Sequence, residues 1–323
     1  MENLLSVPSP YEDSSIVSLA DWVELTALFS ADKNASKEDL KKALQRDGEV
    51  SDEVAEEKTD EVFAELRDRE FSCGIAPNGL SSYPFVMNKG DTLLSMRGDN
   101  ITGKAMVYFF LLAVTRSDMS SRVRCQHGPD PTKLFERLCN EVLQNFWGGA
   151  SAYSGTMIFG TAGLSRTSVR SFRAKIDHLC NTLNEGQGWR DDAIAPGGGD
   201  GKLDLVAWRT FSDKRYGSLV AFGQCKTGMH WENHLSELNP KAFSRQFMKE
   251  QLVIDPVRLY MVPCRISRHR WEKHTLDGGL LLDRCRIFQY SNILKPTTRS
   301  DCKNWLRAVV DAQQKSMTQV RYR

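Results

Sequence analysis

A chain of 323 residues with 41% hydrophobic and 26% charged residues is long enough to bury a sizeable core, which excludes a disordered or low-complexity polymer. The formal net charge of +2 conceals an asymmetry. Residues 1–115 hold 21 acidic and 11 basic side chains (net −10), and residues 116–323 hold 20 acidic and 32 basic (net +12), so a polyanion is repelled by the first part and attracted by the second.

Residues 15–70 read as helical. Ser18 or Asp21 is suited to cap a helix over 22–29, where apolar residues fall at helical spacing. Ser36 and Asp39, just before Leu40, have the form of a capping box. A third helix is expected over 54–69, with Val62, Phe63 and Leu66 on one side and acids elsewhere. The short runs 83–87 and 91–96, split by Asn88-Lys89-Gly90, give a hairpin signal. Residues 104–117 form a helix that is apolar nearly all round and therefore belongs between two packed parts. Together these elements predict an acidic, mainly helical N-terminal domain over 1–120.

The second part opens at Asp130-Pro131-Thr132, with Thr132 capping a helix that runs to Phe146. Further helices are expected over 168–183, 240–252 and 301–314, and strands over 192–196, 203–209, 217–225, 258–262 and 280–288. This mixture predicts a three-layer α/β core. The eight cysteines include no Cys-x-x-Cys pair, and several lie inside apolar runs, which points to buried thiols in a reducing cytoplasm rather than disulfides or zinc. No secretory signal is visible, and the longest apolar stretch, 105–114, is about half of what spans a bilayer. The expectation is a cytoplasmic protein with no membrane partner.

The chemistry-bearing segment is 197–228. Gly197-Gly198-Gly199-Asp200-Gly201-Lys202-Leu203-Asp204 leads into the apolar run Leu205-Val206-Ala207-Trp208, and a second run ends in Gly223-Gln224-Cys225-Lys226. The connection, 210–216, is polar and short enough for a hairpin turn. Two adjacent antiparallel strands would bring Asp204, the Gln224 side chain, the Cys225 carbonyl and the Lys226 ammonium to one sheet end. Oxygen ligands for a hard cation beside a fixed positive charge suit phosphodiester cleavage.

Other motif readings carry less. The glycine run has the look of a phosphate loop, but Pro196 and Leu203 occupy the places where that pattern needs Gly and Ser or Thr. His230 and His234 stand at helical i, i+4 spacing, yet Trp231 sits where a zinc protease has Glu, so a loop lining the substrate groove is the better reading. Asp200 reads as a turn residue. Arg265, Arg268, His269, Arg270 and Trp271 form a basic-aromatic cluster that either grips phosphates or is an exposed loop. Arg265, Arg268, Arg270 and Lys202 are the candidate nucleic-acid ligands.

The segment 199–226 resembles the PD-(D/E)xK nuclease superfamily, and most of all its Mrr-like restriction endonuclease branch. There a Gly-rich turn leads to an Asp at a strand start, and the next strand ends in Gln-x-Lys. Leu134-Phe135-Glu136-Arg137-Leu138, followed by Gly148-Gly149, is similar to the Phe-Glu helix with which the family begins. The resemblance spans residues 130–290. It implies an α/β, restriction-endonuclease-like three-layer core with a central mixed sheet over 130–323. It implies Asp204, Gln224, Lys226 and Glu136 as catalytic residues, with Mg²⁺ or Mn²⁺ held by Asp204, Glu136 and the Cys225 backbone carbonyl. Lys226 would hold or deprotonate the attacking water. Gln224 is neutral and a weaker Mg²⁺ ligand than a carboxylate, so Glu136 is expected to restore the missing charge. Glu141 is the fallback on the same helix, but five positions on it points elsewhere on the surface. The implied activity is endonucleolytic hydrolysis of DNA in restriction or anti-phage defence. The implied partners are a second copy of the chain and a defence protein at the N-terminal domain. The alternatives are a catalytically inactive nucleic-acid-binding module of the same fold, or a protein-interaction subunit of a defence complex.

Overall fold

The computed structural model describes residues 15–45, 50–76, 79–98, 101, 103–120, 123–126, 128–160, 171–196 and 201–321. The N-terminal part comprises α1 (Ile16–Phe29), β1 (Asn34–Ser36), α2 (Lys37–Gln45), α3 (Asp52–Ser72), β2 (Phe85–Met87), β3 (Leu93–Met96) and α4 (Ala105–Arg116). Its three strands form an antiparallel sheet in the order β1-β3-β2, so the expected hairpin is present, with Val86 opposite Ser95. The capping box holds too: the Ser36 N–H donates to Asp39 Oδ2 at 2.8 Å and the Asp39 N–H to Ser36 Oγ at 3.1 Å. The first helix starts earlier than its spacing predicts. Ser15 is its cap, with Oγ accepting from the Ser18 N–H at 3.3 Å, while Ser18 and Asp21 lie buried within the helix.

The C-terminal part comprises α5 (Pro131–Phe146), β4 (Ser154–Ile158), α6 (Phe172–Leu183), β5 (Leu205–Arg209), β6 (Leu219–Cys225), α7 (Pro240–Phe247), β7 (Val257–Met261), α8 (Arg268–Gly278), β8 (Leu280–Leu282), α9 (Arg284–Gln289) and α10 (Pro296–Arg321). One five-stranded sheet runs β4-β5-β6-β7-β8. The pairs β4–β5 and β5–β6 are antiparallel, and β6–β7 and β7–β8 are parallel, so the sheet is mixed. The two-residue period of the strands sends side chains to opposite faces. Leu205, Ala207 and Ala221 meet Phe135, Leu138 and Val142 of α5. Val206, Val220 and Phe222 meet Ile176 and Leu179 of α6 and Phe243 and Phe247 of α7. Helices therefore cover both faces of the mixed sheet, as the interleaved order predicts.

Several boundaries differ from the sequence reading. Asp130, not Thr132, caps α5; its Oδ1 accepts from the Thr132 N–H at 3.0 Å, and Pro131 takes the first helical position. Residues 192–196 form a turn and irregular chain, not a strand. The run 280–288 divides at Asp283, whose Oδ1 accepts from the Arg286 N–H at 3.1 Å and starts α9. The basic cluster expected as a loop lies largely on α8. Ser168 and the glycines 197–199, with Asp200, lie outside the described residues.

One continuous apolar core runs from Leu19 of α1 to Val309 of α10. As its all-round apolarity predicts, α4 is buried; Tyr108 meets Phe288 edge-on with ring centroids 5.5 Å apart, and Phe110 meets Trp305 at 5.5 Å. All eight cysteines are free. Among the described residues no helix is long and apolar enough to cross a membrane.

Candidate active site

The antiparallel pair β5–β6 sets the site. Leu205 lies opposite Gly223, so Asp204, the residue before β5, stands across from Gln224. The Asp204 backbone is fixed on both flanks. Its N–H donates to the Gly223 carbonyl at 2.9 Å, and its carbonyl accepts from the N–H groups of Phe159 at 2.7 Å and Gly160 at 3.1 Å. The approach to it is constrained as well. Gly201 has φ of +66°, and a Cβ there would come within 3.0 Å of the Phe243 ring. The Asp204 side chain reaches across the pair, with Oδ2 accepting from the Cys225 N–H at 2.8 Å. That contact holds the carboxylate at the backbone of the β6 end.

The other predicted residues divide into those gathered at this sheet end and those held elsewhere. Cys225 is the last residue of β6, so its carbonyl leaves the strand there. Burial pushes the Cys225 thiol well up, and the Cys139 thiol, Asp204 and Glu136 push it the same way. Glu136 is half-buried on α5, and Asp204 immediately precedes β5. Glu141 is elsewhere, as expected. It caps α10, accepting from the Lys295 N–H and the Thr298 hydroxyl, each at 2.7 Å.

Gln224 is only 1% exposed. Its Oε1 accepts from the Leu238 N–H at 3.2 Å, and its Nε2 has no hydrogen-bond partner among the described residues. The amide oxygen expected to face a metal is therefore committed to the chain after β6, because the buried Leu238 N–H requires an acceptor.

Lys226 follows the strand, its backbone N–H donating to the Met261 carbonyl at 3.1 Å. Its Nζ lies 3.3 Å from Glu237 Oε2, and the Nζ of Lys202 lies 3.4 Å from the same oxygen. The other Glu237 oxygen, Oε1, is 2.6 Å from Nδ1 of His234. Burial raises the Glu237 carboxyl, but His234 and the ammonium groups of Lys226 and Lys202 prevail and hold it down to about 2. Glu237 is not among the residues that the sequence singles out. It lies outside any motif, and the one signal was indirect: a neutral Gln224 asks for a carboxylate from another segment. His230 and His234 do not share a helical face, because Trp231–His234 is a single 3₁₀ turn.

The nucleic-acid candidates also separate. Lys202, Arg268 and Arg270 are exposed. Arg265 is not: it is buried, with Nη1 on Asp283 Oδ2 at 2.7 Å and further pairing to Asp68 and Glu65 of α3. Its side chain is an internal tie between the two parts of the chain, its guanidinium already paired with carboxylates. It lines a cavity of about 1220 Å³ together with Asp21, Glu65, Trp231, Arg268 and Arg270.

Among the described residues no three His, Cys, Asp or Glu side chains are grouped as metal ligands. No protein-family model, curated protein or solved structure matches the chain.

Proposed function

We propose that the protein is a metal-dependent endonuclease that hydrolyses DNA phosphodiester bonds, built on a restriction-endonuclease-like core of the PD-(D/E)xK type. The observation that carries this reading is the 2.8 Å hydrogen bond from the Cys225 N–H to Asp204 Oδ2, which joins the strand-start carboxylate to the Gln-x-Lys strand. Support also comes from the mixed sheet, in which the antiparallel β4, β5 and β6, with α6 between the first two, lead through α7 into parallel β7.

The donor chemistry fits a hard divalent cation: carboxylates of Asp204 and Glu136, and the Cys225 carbonyl at the strand end. When bound, Mg²⁺ or Mn²⁺ supplies neutralisation of charge on the phosphoryl oxygens and acidifies a water. Asp204 and Glu136 orient that centre. Lys226 holds the attacking water by hydrogen bonding. The exposed Lys202, Arg268 and Arg270 grip the DNA backbone, whose phosphates set affinity without reading sequence. Restriction or anti-phage defence, a cytoplasmic setting, and a paired copy for double-strand cuts belong to the same proposal.

A non-catalytic DNA-binding module is the second reading. It is favoured by the commitment of the Gln224 oxygen to Leu238. Supercoiled plasmid incubated with purified protein and Mg²⁺, Mn²⁺ or chelator separates the two. The first reading expects metal-dependent nicking that Asp204→Ala or Lys226→Ala lowers by about 10²-fold or more with an unchanged circular dichroism spectrum. Full activity in either variant removes the assignment, and a metal-independent gel shift without cutting selects the second reading.

A further inference from the structure

We infer that Glu237 is a positioning residue of this site: it fixes the ammonium of Lys226 from a loop that Gln224 anchors. The inference rests on the nuclease reading and adds a role for a side chain which that reading does not use.

Three contacts close a ring. Gln224, buried on β6, accepts from the Leu238 N–H and so pins the chain next to Glu237. Glu237 reaches back to Lys226, two residues beyond Gln224 on the same strand line, at 3.3 Å. His234, at 2.6 Å, holds the second carboxylate oxygen and with it the plane of the group. A lysine ammonium is a point charge on a flexible stem, so alone it adopts many positions. An ion pair whose acid is itself held on one side by a histidine and on the other by a buried backbone anchor restricts it to few. Lys226 and Glu237 are both about a quarter exposed, at 27% and 25%, so the pair is neither lost to solvent nor sealed off.

The arrangement also accounts for an amide at 224. A carboxylate there would be buried on the strand that faces Asp204 and on the anchor of Glu237, adding a third negative charge in a desolvated place. An amide gives the Leu238 N–H the same acceptor without that cost. The acidic group that the strand omits stands thirteen residues later in sequence, on Glu237, and meets the same lysine.

The test uses the full chain and two readouts. In the first, acetic anhydride labelling with mass spectrometry compares Lys226 with Lys133, an exposed residue of α5. Glu237→Gln is expected to raise the Lys226 to Lys133 ratio about threefold, the size of a partly exposed ion pair, and Glu237→Asp by less. In the second, plasmid nicking in Mg²⁺ is measured at steady state. Glu237→Gln is expected to lower kcat by about 10- to 100-fold with KM for DNA within about twofold, and Glu237→Asp to recover part of the loss. If the wild type cuts, Asp204→Ala does not, and Glu237→Gln matches the wild type, this inference falls and the nuclease reading stands. Labelling that Glu237→Gln leaves unchanged also overturns it. A wild type that does not cut overturns the nuclease reading and this inference together.

Discussion

At the scale of single residues, Gln224 shows how burial restricts chemistry. A side chain that is 1% exposed and accepts from a buried N–H cannot turn its oxygen outward without orphaning that donor. Gln224→Leu keeps the apolar bulk and removes the acceptor, so the Leu238 N–H loses its partner. The expected cost is about 1–3 kcal/mol in urea unfolding at unchanged m-value. The same variant should also raise Lys226 labelling, since the segment carrying Glu237 is no longer pinned. An unfolding midpoint equal to wild type would show that the amide anchors nothing.

At the scale of elements, what the sequence could reveal depended on whether an element's own pattern set its bounds. The β5–β6 pair was legible because two apolar runs flank a short polar connection, and Asp204 and Lys226 mark its ends; the structure brings both to one sheet end. The long helices α3 and α5 were legible through periodicity, and α4 through its unbroken apolar run. Short elements were not. A three-residue β8 and a six-residue α9 read together as one apolar strand, because their divider is a single carboxylate, Asp283. The polar β4 and the mostly polar α8 gave no apolar pattern at all, yet tertiary packing holds them. Arg265 looked like its neighbours in sequence, and only the fold shows that carboxylates of α3 and Asp283 surround it. Caps are a matter of one residue, and Asp130 and Thr132 offer equally suitable side chains two positions apart. Asp130→Ala removes the acceptor for the Thr132 N–H, and also one side of an ion pair with Arg124. The expected loss is about 1 kcal/mol of unfolding free energy, with Thr132→Val well below that; the reverse order in denaturant titrations would restore Thr132 as the cap.

At the scale of the molecule, an acidic part and a basic part share one core, and buried charges join them. Asp21 Oδ1 accepts from Nη1 of Arg69 and of Arg284, each at 2.7 Å, and Oδ2 accepts from Nε of Arg116 at 2.9 Å. Glu24 accepts from the hydroxyls of Tyr83 and Tyr108 and lies 2.8 Å from Nη1 of Arg69. The cluster thus ties α1 to α3 and α4 and, through Arg284, to α9. Burial alone would raise the Asp21 carboxyl, but Arg284, Arg116 and Arg69 prevail and hold it far below the ordinary 3.8. A carboxyl depressed on folding stabilises fully above its unfolded value, and that contribution is lost as pH falls below it. Asp21→Asn leaves buried guanidinium groups without their anion, so the expected loss near pH 7 is about 3–5 kcal/mol. The gap between variant and wild type should narrow as the pH drops below the ordinary 3.8, since the wild type then begins to lose the same contribution. Because one core joins α1 and α4 to α5 and α10, these helices should unfold together in both proteins. Urea titrations followed by circular dichroism and tryptophan fluorescence at several pH values measure all three outcomes. A variant within about 1 kcal/mol of wild type, or a gap that widens in acid, would mean that the cluster is not what couples the two parts.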